Sequence, residues 1–100
     1  MIVVLRREAE DELISAAQYY ESQRPGLGAA FLIEAELALA ALERFPQQWR
    51  LVRNGVRRGL LQRFPYAFYY WEKQPGEELE ILSISHSKRH PLYWSSRHGQ

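Results

Sequence analysis

From Ala9 onward the apolar residues of this chain keep two periods, and they change from one to the other once. As far as Phe45 they recur every three or four residues. Ala9, Leu13, Ala16, Ala17 and Tyr20 form one stripe, and Leu27, Phe31, Ala35, Ala38, Leu42 and Phe45 form a second. Steps of three and four put side chains on one face of an α-helix. From Val52 the pattern becomes that of strands, which we read over Val56 to Arg63, Tyr66 to Lys73 and Leu79 to His86. Helix-period sequence does not bury its apolar set as a strand, nor the reverse. The chain must therefore pack a pair of helices against a sheet.

The punctuation agrees. Ile2 to Arg6, "IVVLR", is short and β-branched and reads as a first strand. Glu8, Glu10, Asp11 and Glu12 crowd the start of the first helix, where carboxylates favour the positive end of the helix dipole. No Ser, Thr, Asp or Asn precedes them as a cap. "RPGLG" (Arg24 to Gly28) breaks the helix, and Pro46 ends the second one. Ala35, Ala38, Ala40 and Ala41 favour helix and allow close approach. "FPY" and "QPGEE" mark the later corners. The expected class is α+β: an N-terminal strand, an antiparallel two-helix hairpin, then a three-stranded antiparallel meander. The last strand places Leu79 and Ile81 on one face and Leu82 and Ile84 on the other, the signature of a central strand. The tail from Lys88 to Gln100 is basic and aromatic, and no core position obviously requires it.

One hundred residues suit a single domain spanning 1–100. With no cysteine, neither a disulfide scaffold nor a thiolate metal site is possible. Met1 to Leu5 is too short for a signal peptide, and no stretch approaches a membrane span, so a cytoplasmic location without membrane contact is expected. Net charge is only +1 but lopsided: −3 over residues 1–50 and +4 over residues 51–100. A basic half can meet phosphate or an acidic protein.

Specific chemistry is thin. His86 and His90 stand four apart, but Pro91 removes helical geometry and no HExxH frame exists, so no metal is expected. Ser83, Ser85 and Ser87 alternate along a strand without a nucleophile elbow. Gly26 and Gly28 lie between helices, not after a strand, so there is no phosphate loop and no cofactor is expected. RNA cleavage needs a base, a cation at the phosphorane and an acid. Arg57, Arg58, Arg63 and Arg89 are candidate cations, and His86 or Tyr93 could move protons, but the only lysines are Lys73 and Lys88. The aromatic run "GVRRGLLQRFPYAFYYW" (Gly55 to Trp71) could stack bases, yet Tyr, Phe and Trp are also ordinary strand formers that pack across strands.

Three segments together carry a family pattern: "AEDELISAAQYYESQRPGLGAAFL" (Ala9 to Leu32), "GVRRGLLQRFPYAFYYW", and "ISHSKRHPLYWSSR" (Ile84 to Arg97). In that order they resemble the ParE/RelE toxin superfamily of bacterial toxin–antitoxin modules, over most of the chain. The resemblance is closer to the ParE branch of plasmid-stabilisation proteins, which it implies poison DNA gyrase by binding. The alternative is the RelE branch, which cleaves mRNA on the ribosome; its lysine-rich catalytic set has no counterpart here. The implied fold is the one derived above. The resemblance implies a cognate antitoxin as partner, in a hetero-oligomer, and no catalytic residue. Target-binding candidates are Arg57, Arg58, Arg63, His86, Arg89, Tyr93 and Trp94. Antitoxin-binding candidates on the hairpin are Leu13, Tyr20, Phe31 and Leu39.

Overall fold

The computed structural model describes residues 1–99. Strand β1 (Ile2–Leu5) leads into helices α1 (Arg7–Gln23) and α2 (Leu27–Ala41). Strands β2 (Arg50–Arg53), β3 (Val56–Leu60), β4 (Tyr66–Gln74) and β5 (Glu78–His86) follow, and a short 3₁₀ turn covers Ser95–Arg97. The five strands form one sheet in the order β1-β5-β4-β3-β2. The α+β class holds, with a larger sheet than expected. β2 extends the meander to four antiparallel strands, and β1 pairs with β5 in parallel, Val3 beside Leu79 and Leu5 beside Ile81. β5 is a central strand, as its two apolar faces required.

One assignment of faces is corrected. Ile84 shares the helix-facing core with Leu79 and Ile81, while Leu82 alone points to the other side with Tyr69 and Trp94. The cause is a bulge. Tyr69 pairs with Ser83 but Tyr70 pairs with Ile81, so β5 carries one extra residue there. An extra residue reverses every later side chain.

The helical hairpin is held by an unusual cap. No Ser, Thr, Asp or Asn caps α2; the Glu21 carboxylate does so from α1, accepting from Gly26 N–H and Gly28 N–H at 3.0–3.1 Å. Gly28 is needed for packing, since a Cβ there would lie 2.5 Å from the Ala17 carbonyl oxygen. The helices meet over Ala16, Ala17, Phe31 and Phe64. α2 stops at Ala41, so the expected stripe does not reach Phe45, which faces solvent.

The aromatic run is core. Phe64, Phe68, Tyr69 and Tyr70 are buried, dividing between the two faces of the sheet. Gly59 on β3 faces Phe68 on β4 so closely that a Cβ would sit 2.2 Å from the ring. The ring covers a bare backbone and fills the space a side chain would take.

The tail differs from expectation. Residues beyond β5 fold back over the sheet face opposite the helices, where Trp94 is 1% exposed. Its ring stacks on Tyr69 with centroids 5.8 Å apart, and its Nε1–H donates to the Pro91 carbonyl. An apolar sheet face needs a cover, and the helices serve only one side.

Candidate functional site

Two surfaces gather the sequence candidates. The first is a cleft of about 420 Å³ where α1, the end of β5 and the tail converge. His86, Arg89 and Tyr93 line it, with Tyr66 at its floor and Asp11, Ser15 and Tyr19 from α1. His86 stands at the end of a strand and turns the chain: its Nδ1 accepts from Lys88 N–H at 3.1 Å. His90 does the same for Leu92 N–H at 3.1 Å, so both histidines shape turns in the tail. Among the described residues no cluster could hold a metal ion.

The charges of this cleft are largely committed. The Arg89 guanidinium lies over the Tyr93 ring at 4.1 Å, and the Arg97 guanidinium reaches the same ring at 4.9 Å. Arg97 binds Glu12 with both nitrogens at 3.0 Å, and the adjacent carboxylate keeps its pKa above the usual value. Burial raises the Tyr66 hydroxyl, with smaller contributions from Tyr19 and Glu12. A raised phenol stays protonated at neutral pH and does not serve as a ready base.

The Glu12–Arg97 pair also completes the sheet. β1 ends at Leu5, leaving the edge of β5 beyond Ile81 without a strand. Glu12 accepts from Ile84 N–H at 3.0 Å, and Arg97 donates to the Leu82 carbonyl at 2.9 Å. The ion pair satisfies main-chain groups that a longer β1 would have paired.

The three remaining arginine candidates do not form one patch. Arg57 and Arg58 point to opposite faces because they are neighbours on a strand. Arg57 donates to the Trp49 carbonyl at 2.7 Å. Arg58 donates to the Tyr69 hydroxyl at 3.0 Å and the Ser87 carbonyl at 3.3 Å. Arg63 is exposed but tied to Glu34 at 3.3 Å. Trp94 is buried under the tail and presents no surface.

The second surface is a groove of about 460 Å³ between α2 and β3. Ile33 and Leu37 are 58% and 68% exposed on the outer face of α2, one helical turn apart, and Leu60 is 40% exposed across from them. The antitoxin candidates lie elsewhere. Phe31 and Leu39 are core residues with 0% and 7% exposure, and Leu13 and Tyr20 are half-buried against the cores. They lie on the inner, sheet-facing side of the hairpin. Ile33 and Leu37 are not among the sequence candidates: they form an apolar i, i+4 pair on the outward face, off the inner stripe, and that spacing is the signal the sequence carries for them.

No family model matches the sequence, and no curated protein does. Among solved structures the chain is similar to one described as "Chromosomal ParDE TA system from P. aeruginosa". The TM-score is 0.75 at 22% identity, covering 86% of this chain and 95% of the other. The likeness is one of fold: this chain shares its α+β arrangement with a chain of that system, while its sheet is larger than the expected meander and contains one parallel pair.

Proposed function

We propose that this protein is a ParE-like toxin of a toxin–antitoxin pair, which acts by binding DNA gyrase and is neutralised by a cognate antitoxin. The observation that carries the reading is the exposed apolar groove of Ile33, Leu37 and Leu60, on a fold shared with a chain of a ParDE TA system. Two exposed apolar residues one turn apart, facing a third across a groove, suit an amphipathic helix. The antitoxin lies there and leaves the cleft at the opposite side of α1 for the target.

Binding is favoured over RNA cleavage by the electrostatics of the cleft. A phosphodiester needs cations free to meet its developing charge. Arg97 is held by Glu12, and Asp11 and Glu12 line the cleft together with Arg89, so its lining has no net positive charge to offer. The test is induced expression with two readouts, gyrase supercoiling and mRNA integrity. Growth arrest with inhibited supercoiling and intact mRNA supports the reading. Discrete mRNA cuts that vanish in His86→Ala would replace it with a ribosome-dependent endoribonuclease.

A further inference from the structure

From Arg44 to Trp71 the chain holds six arginines and no acidic residue. Three of these, Arg57, Arg58 and Arg63, are spent on the protein's own carbonyls, a hydroxyl and a carboxylate. Arg50 and Arg53 make no side-chain hydrogen bond or ion pair among the described residues. They lie on β2, the outermost strand of the sheet, whose four residues are all exposed. Between them Leu51 and Val52 are 54% and 39% exposed. β2 is paired on one side only, with β3. Its outer side therefore carries main-chain donors and acceptors that call for a partner strand.

We infer that the outer edge of β2 is an interaction surface for an extended segment of a partner protein that alternates acidic and apolar residues and adds to the sheet. Strand addition draws affinity from the main chain and selectivity from side chains. Here the selectivity comes from Arg50 and Arg53. They repel a second copy of the same edge, which would set arginine against arginine, and they repel any basic segment. Short, charged edges are a common guard against indiscriminate pairing. This guard has one sign, so it admits an acidic strand. A nucleic acid would satisfy the arginines but would leave Leu51, Val52 and the main-chain edge without partners. The opposite edge, β1, contains only Ile2, Val3, Val4 and Leu5 and selects nothing by charge.

The surface is separate from both the groove at α2 and the cleft at α1, and the inference does not depend on the toxin reading. The test uses the purified full chain with two synthetic peptides, capped and identical except that glutamates alternating with valine in one are lysines in the other. We expect the glutamate peptide to bind at least about tenfold more tightly. It should slow amide hydrogen exchange within Arg50–Arg53, and its affinity should fall as salt rises. Arg50→Glu with Arg53→Glu should reverse the preference while melting at the parent temperature. Equal affinities, protection confined to other elements, or no binding would overturn the inference. So would an oligonucleotide that protects β2 where the peptide does not. Should the double variant fail to fold, the parent decides: affinity unchanged between about 50 and 500 mM salt rejects the charge argument.

Discussion

Arg97 shows how much one side chain can organise. Its guanidinium joins α1 through Glu12, β5 through the Leu82 carbonyl and the tail through Tyr93, while its own carbonyl accepts from Arg6. Removing it leaves a Glu12 carboxylate without its cation and a strand carbonyl without a donor. Arg97→Ala should therefore lose about 2–4 kcal/mol in urea unfolding, and Arg97→Lys should lose less because the charge remains without the fork. Stability within about 0.5 kcal/mol of the parent would mean that the clamp contributes nothing. Glu34 gives a pH-dependent counterpart. Partial burial pushes its pKa up, but the Gln62 and Arg63 amides and the Arg63 side chain outweigh that, and the net shift is downward from 4.5. A lowered folded pKa stabilises the protein above the ordinary value, and that stability is lost as pH falls through the folded one. Acid titration of the melting temperature should therefore show a decline beginning near pH 4.5 that is shallower in Glu34→Gln. Identical slopes in the two proteins would remove Glu34 from the acid transition.

At the scale of elements, what was legible in the sequence depended on length and period. The two helices carry long stripes and were found with their inner faces; Ala9, Ala16, Phe31 and Ala35 are buried as the spacing demands. β2 was not found, because Arg50–Arg53 is four residues long, wholly exposed, and has no alternation to read. The bulge in β5 was hidden for a different reason: an extra residue is a property of pairing, and the adjacent apolar pair Ile81–Leu82 in "LEILSIS" reads equally well as a regular strand that is apolar on both faces. The tail misled through composition. Arginine beside Tyr93 and Trp94 suggests an interface, but the same residues cover an apolar sheet face that no helix reaches. The candidate cleft was half legible, with His86, Arg89 and Tyr93 named and the wall of Asp11, Ser15 and Tyr19 missed, since that wall exists only once α1 crosses the end of β5. Because Trp94 is buried against Tyr69, Leu82 and Val56, the tail belongs to the fold. Trp94→Ala should cost about 3–5 kcal/mol, and truncation after His90 should abolish cooperative unfolding. A truncated chain that melts like the parent would return the tail to the surface.

For the whole molecule, the decisive point is that the proposed antitoxin groove and the proposed target cleft lie on different sides of the helical hairpin. Ile33 and Leu37 face outward from α2, while His86 and Tyr93 sit beyond α1 at the end of β5. Toxicity and its neutralisation should then be separable. Ile33→Glu with Leu37→Glu changes only exposed positions, so stability should move by no more than about 1 kcal/mol. The new carboxylates put charge where an amphipathic helix must bury its apolar face, and repel an acidic one as well. Co-expressed antitoxin should fail to rescue cells from this variant, with affinity lowered at least about a hundredfold, while growth arrest and gyrase inhibition stay at parent level. Tyr19→Ala with Arg89→Ala, on the cleft, should do the reverse: arrest is lost and the antitoxin still binds. The two variants control for each other, since unfolding would remove both activities at once and a melting curve would reveal it. If the groove variant stays bound and rescued, the antitoxin uses another face. If the cleft variant still arrests growth, the target does.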